Sequence, residues 1–252
     1  MTSTADDAPS PGKPRHRVSV VGVIGEVLIT AGVFVLLFLG WQLWLQDILV
    51  GGQQQHAAQA LTQKWQEAAP RSPEKVSTDP GTPIVMTAPS NATPFATLYV
   101  PRWGATWTRT IAQGVGTTDV LNKIGVGHYP GTQMPGAVGN FAIAAHRHAY
   151  GGGFEYLHEL HVGDHVYIGT ADGWYEYTFR DIEYVKPTQV NVLQPVPMQP
   201  GAIPTDRILT MTTCNPFFST RERMIGYALF DTWYPIADGP PAEIAPAIPA
   251  GS

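Results

Sequence analysis

Residues 208–230 read ILTMTTCNPFFSTRERMIGYALF. Two runs rich in β-branched and aromatic residues, 207–214 and 223–230, flank NPFFST, whose proline and hydroxyl side chains suit a turn rather than a strand. The pattern predicts two neighbouring antiparallel strands. It sets Cys214, at the end of the first, against an arginine at the start of the second. Arg221 and Arg223 both qualify, and because they share strand parity, alternation alone does not separate them.

Outward from this pair, FATLYV (95–100), NFAIAAH (140–146), HVYIGT (165–170), WYEYTFRDIEYV (174–185) and MIGYALFDTWY (224–234) carry the same strand signature between Gly, Pro and Asp turns. Helical stretches are brief: TDVLNKIG (118–125) and FEYLHEL (154–160). These features predict a mainly β domain over 95–238, an antiparallel barrel with short connecting helices.

The chain ahead of that domain fixes its surroundings. VGVIGEVLITAGVFVLLFLGWQLWL (21–45) holds one ionisable residue, Glu26, and is long enough to cross the roughly 30 Å hydrocarbon core of a bilayer. Lys13, Arg15, His16 and Arg17 precede it, while Trp41 and Trp44 suit an interfacial belt. The expected organisation is a cytoplasmic tail (1–17) and a single transmembrane anchor (18–45) that places the lipid bilayer among the partners. A stalk and flexible linker (46–94) follow, then the extracytoplasmic domain (95–238) and a disordered Pro-rich tail (239–252). The net charge of −5, with no basic cluster beyond the N-terminal flank, argues against nucleic acid.

Cys214 is the one cysteine of the chain. Outside the membrane cysteines are ordinarily paired, so an unpaired one marks a reactive thiol or an intermolecular link. A thiolate nucleophile requires a neighbour that lowers its pKa from about 8.5 or accepts its proton, together with donors for an oxyanion. His146, at the end of an apolar strand, stands where a side chain reaches a site. His158, His161 and His165 lie close in sequence, but Gly163 and Asp164 break any helix that would gather them as zinc ligands. They read as surface histidines, and no metal is expected.

The residues carry a resemblance. TMTTC (210–214) is similar to the Thr-Leu-x-Thr-Cys signature of sortases, with Met211 at the leucine position, and GNFAIAAHR (139–147) resembles the sortase histidine segment. The resemblance, closest to class E, extends over about 96–233. It implies a closed eight-stranded sortase-type β-barrel preceded by one N-terminal transmembrane helix. It further implies a cysteine transpeptidase with Cys214 as nucleophile and His146 as its proton-exchange partner. In class E the essential arginine lies nine residues after the cysteine, which is Arg223 here. LYVPRWG (98–104) resembles the class E opening strand, which makes Tyr99 a substrate contact, and Thr213 is a candidate donor at the site. The implied partners are surface proteins with LAxTG- or LPxTG-like C-terminal sorting signals, cut between Thr and Gly, and an amine of a peptidoglycan precursor. No cofactor is implied.

Overall fold

The computed structural model describes residues 19–41, 45–69 and 82–249, in two units, Met1–Gln42 and Leu43–Ser252. The basic flank at 13–17, Trp44 and the linker segment 70–81 lie outside the described residues. The first unit contains α1 (Val20–Gly40), 21 residues with no buried side chain and long and apolar enough to span a membrane.

The second unit is built on eight strands: β1 (Pro94–Tyr99), β2 (Thr108–Gln113), β3 (Gly125–His128), β4 (Gly139–Ala145), β5 (His165–Gly169), β6 (Gly173–Val185), β7 (Arg207–Asn215) and β8 (Glu222–Pro235). They close in the order β1-β2-β3-β4-β7-β8-β6-β5, with β5 pairing back to β1. Closure leaves no free sheet edge. Register shifts at Glu176/Tyr177 and Phe179/Asp181 bend the long β6 around the barrel.

Side-chain alternation separates inside from outside. Leu98, Phe141, Ile143, Ala145, Leu209, Met211, Met224 and Ala228 belong to the main buried cluster, which fills the barrel. Their strand neighbours Tyr99, Asn140, Thr210 and Ile225 therefore point outward. On that outer face, the connection between β6 and β7 crosses β4, where Asn140 Nδ2 donates to the carbonyls of Val192 and Gln194, both at 3.0 Å.

The structure departs from the sequence reading at four places. β2 and β3 are strands that the sequence did not reveal, because TRTIAQ is cut by a charge and GVGH is half glycine. The β2–β3 and β4–β7 pairs are parallel, so the barrel is mixed rather than antiparallel. TDVLNKIG forms only one π-type turn over Thr117–Leu121 before β3 begins, and FEYLHEL only a 3-10 turn over Leu157–Glu159. The fourth departure is at the flanks of the barrel. Residues assigned to a stalk form α2 (Gln46–Ala68), which buries Gly51, Gln54, Ala58 and Thr62 against the barrel. Those residues recur at helical spacing, but they are small or polar, so no apolar stripe announced the packing. The tail is ordered to residue 249, with Ile244 and Ala247 buried against Tyr99, Tyr167 and Trp174.

Candidate active site

Cys214 is the penultimate residue of β7, half-buried, with a free thiol. Its direct partner on β8 is Arg223. On the other side of β7, the parallel register runs to Ala144 against Thr212; Cys214 lies two residues further along β7, and His146 is the first residue beyond the end of β4. Cys214 and Arg223 have the outward parity of their strands, as Thr212 and Ile225 show by their positions beside inward-facing core residues, and His146 follows directly on the end of β4. The fold thus carries a thiol, an imidazole and a guanidinium, separated by up to 77 positions in sequence, to one end of one outer face.

No side-chain hydrogen bond links the three groups among the described residues, and the arginine and the histidine have other partners. The Arg223 guanidinium donates through Nη1 to the carbonyls of Thr220 (3.1 Å) and Glu222 (3.0 Å), which leaves Nε and Nη2 for a ligand. Arg221 is exposed and lies one position before β8 begins. His146 Nε2 stands 2.8 Å from Asn122 Oδ1. With an oxygen acceptor there, Nε2 carries the hydrogen, and Nδ1 is left with its lone pair for proton exchange. Burial lowers the His146 pKa below the ordinary imidazole value, and the charge of Asp47 offsets part of that drop. The ring is accordingly biased toward the neutral, proton-accepting form.

The site's walls are tied together. Arg147 Nη1 donates to Asn215 Oδ1, and Asn215 Nδ2 donates to Glu222 Oε2 at 2.7 Å, which locks the rung next to that of Cys214. His148 packs against Phe217 and Phe218, with ring centroids 5.1 and 4.4 Å away, and joins the segment after His146 to the loop after Cys214. Phe218 is 69% exposed, an apolar face on the loop that follows Cys214.

Two residues expected at the site lie elsewhere. Thr213 has inward parity and is buried, and its hydroxyl donates to the Ala145 carbonyl at 2.8 Å, so it ties β7 to β4 from inside the barrel. Tyr99 is 1% exposed, and β1 stands four strands from β7 in either direction around the barrel. Its hydroxyl lies 2.6 Å from that of Thr62 on α2 and accepts from Thr97 at 3.1 Å. It has no route to a substrate at Cys214. Conversely, sequence reading missed Asn122. It lies just beyond the turn at Thr117–Leu121, 24 positions from His146, and a polar residue in a loop carries no pattern that would mark it. The histidines of HELHVGDH do not converge: His158 and His161 are exposed, while His165 pairs with Glu243 at 2.9 Å and Glu176 at 3.6 Å.

Known proteins resemble this chain in sequence and fold. The family model described as Sortase domain matches residues 98–230. Sortase SrtE1 of Streptomyces coelicolor is 35% identical over 235 residues, 91% of this chain and 62% of that protein's length. Sortase SrtE2 of the same organism is 27% identical and is covered over 89% of its length. Among solved structures, the SrtA sortase from Actinomyces oris superposes with a TM-score of 0.63 at 39% identity, covering 66% of this chain and 96% of that one. Sortase E1 from Streptomyces coelicolor with a tripeptide in the active site gives 0.57 at 35% identity, covering 64% and 100%.

Proposed function

The chain belongs to the sortase family of cysteine transpeptidases, and on that premise we propose that it is a single-pass membrane enzyme that joins surface proteins to the cell wall through Cys214, His146 and Arg223. The N-terminal flank stays in the cytoplasm, in keeping with Lys13, Arg15 and Arg17 ahead of α1 and no comparable basic cluster after it. The catalytic unit over 95–238, extended by α2 and the ordered tail, works outside. A membrane-held enzyme meets membrane-held substrates at raised local concentration.

In the first half-reaction His146 Nδ1 takes the Cys214 thiol proton, and the resulting thiolate attacks the threonine carbonyl of an LAxTG- or LPxTG-like signal. The carbonyl π electrons move onto oxygen, and Arg223 donates to that oxyanion. Collapse breaks the Thr–Gly bond as His146 gives a proton to the departing glycine amine, leaving a thioester on Cys214. In the second, an amine of a peptidoglycan precursor attacks the thioester, His146 takes its proton, and the thiolate is released. Asn122 orients the imidazole throughout.

One observation carries this reading: the Cys214–Arg223 rung, with His146 directly after the end of β4, the strand parallel to β7. The tripeptide reported in the active site of the Streptomyces coelicolor relative supports a peptide as the ligand. The test incubates the full chain, in detergent micelles, with peptides that vary the second motif position and with hydroxylamine or wall-type amines. Intact-mass analysis is expected to show an acyl adduct on the parent protein and hydroxamate or transpeptidation products after Thr. The adduct disappears in Cys214→Ala. Cleavage that persists in Cys214→Ala overturns the reading.

A further inference from the structure

The backbone just after His146 has an unusual shape. Ala149, Tyr150, Gly151 and Gly152 are four successive residues at positive φ, 68°, 51°, 89° and 51°. Two of them carry Cβ atoms, for which this region is disfavoured, so the shape persists only where surroundings impose it.

What imposes it is α2. Asp47 Oδ2 accepts from the Ala149 amide at 2.9 Å and Oδ1 from the Gly151 amide at 3.2 Å. The same carboxylate lies 3.4 Å from His148 Nδ1. About two turns further along the helix, Gln54 Nε2 donates to the Tyr150 carbonyl at 2.9 Å. Arg109 of β2 adds a bond from Nη2 to the Gly151 carbonyl at 3.3 Å. The helix comes close enough because Gly51 has no side chain: a Cβ there would stand 3.0 Å from Arg109 Nη2. A Cβ on Gly151 would meet Gln54 Oε1 at 2.6 Å. The segment held this way returns to His146 twice, through the Tyr150 ring, 5.4 Å from the imidazole, and through the Phe154 amide, which donates to the His146 carbonyl at 3.0 Å.

We propose that the first half of α2 is part of the catalytic apparatus, with Asp47 and Gln54 as positioning residues that shape the 147–152 segment and thereby fix the His146 ring. This inference rests on His146 being the proton-exchange partner of Cys214. Asp47 adds an electrostatic contribution, since its charge holds the imidazole's proton affinity up against burial. Arg109, His148, Tyr150, Glu155 and Tyr156 also face this junction.

Because the chain has one cysteine, alkylation by iodoacetamide reports on Cys214 alone and needs no substrate. The experiment uses the full chain in detergent with Asp47→Ala, Asp47→Asn, Gln54→Ala and His146→Ala. It measures kcat and KM for a sorting-signal peptide, alkylation rate against pH, and thermal unfolding. Asp47→Ala and Gln54→Ala are expected to lower kcat by roughly tenfold or more while KM stays within about twofold. Their alkylation profiles should move toward that of His146→Ala. Asp47→Asn keeps one oxygen acceptor and is expected to lose less. Should Asp47→Ala fail to fold, Gln54→Ala decides. If the folded variants keep the parent kcat and alkylation profile while His146→Ala changes both, α2 is only a structural brace and the inference falls alone. If His146→Ala leaves the alkylation profile unaltered, the cysteine–histidine reading falls with it.

Discussion

Cys214 and Arg223 face each other across one rung of the β7–β8 ladder. Arg221 shares its sequence parity but stands before the ladder begins, exposed. Only the first arginine is therefore held at the height of the thiol. Arg223→Ala is expected to reduce kcat by about 10² to 10³, the size of effect seen when one oxyanion donor is lost. Arg223→Lys should recover part of it, since a single ammonium does not reproduce a guanidinium's fork. Arg221→Ala should stay close to the parent rate. Equal losses in steady-state kcat from Arg221→Ala and Arg223→Ala would contradict the register argument.

Asn122 holds Nε2 of His146 and so decides which ring nitrogen carries the hydrogen. Asn122→Ala frees the ring to rotate and to change tautomer, and a loss of roughly ten- to a hundredfold in kcat is expected, with a far smaller change in KM. Asn122→Asp restores an acceptor and brings a negative charge to the imidazole, which favours its protonated form. Its pH–rate profile should therefore show the histidine limb displaced toward alkaline pH. An unchanged profile would mean that the residue at 122 does not touch the titrating imidazole.

Tyr99 belongs to the packing between barrel, α2 and tail, where burial raises its pKa against the opposing bonds to Thr62 and Thr97. Tyr99→Phe should lower unfolding free energy by about 1 kcal/mol, the typical worth of a buried hydrogen bond. It should leave kcat and KM for the sorting peptide where they were. A rise in KM with unchanged stability would return Tyr99 to the substrate groove.

How far the sequence could be read follows from where information was local. The β7–β8 pair was legible because alternation, a short Pro-containing turn and a lone cysteine all fell within 23 residues. The family signatures extended the same reading to His146. Parity left Arg221 and Arg223 equivalent, the class E spacing pointed to Arg223, and the ladder register pairs that residue with Cys214. What failed was non-local or polar. Nothing near β3 announces that GVGH pairs with β2 and β4, since its stability comes from neighbours on both sides. α2 hides its buried stripe in Gly, Gln, Ala and Thr, and the tail's Ile244 needs Tyr99 and Trp174 to become core. Tyr99 was misplaced because a motif match fixes a strand without fixing which side of a barrel that strand occupies.

His128 gives the fold a specific acid sensitivity. Its ring is fully buried between Phe95 and Phe141, with Nδ1 2.7 Å from Gln113 Oε1 and Nε2 2.9 Å from the Thr132 hydroxyl. The Gln133 carbonyl stands 3.0 Å from Nε2 as a further acceptor, and a neutral ring, with one hydrogen, donates on one of its two sides. Desolvation pushes its pKa down from 6.5 to about 4, against a smaller opposing effect of the Gln133 carbonyl. Between those values the unfolded chain binds a proton that the folded chain refuses. Stability from this group is thus complete above about pH 6.5 and declines as the pH falls toward about 4, by an amount on the order of 3 kcal/mol. His128→Asn cannot titrate, so although it starts less stable, its unfolding free energy should fall less steeply over the same interval. Carboxylates contribute equally to both proteins and cancel in the comparison. Denaturant unfolding at several pH values measures the two slopes, and identical slopes would show that His128 is not held neutral in the folded barrel.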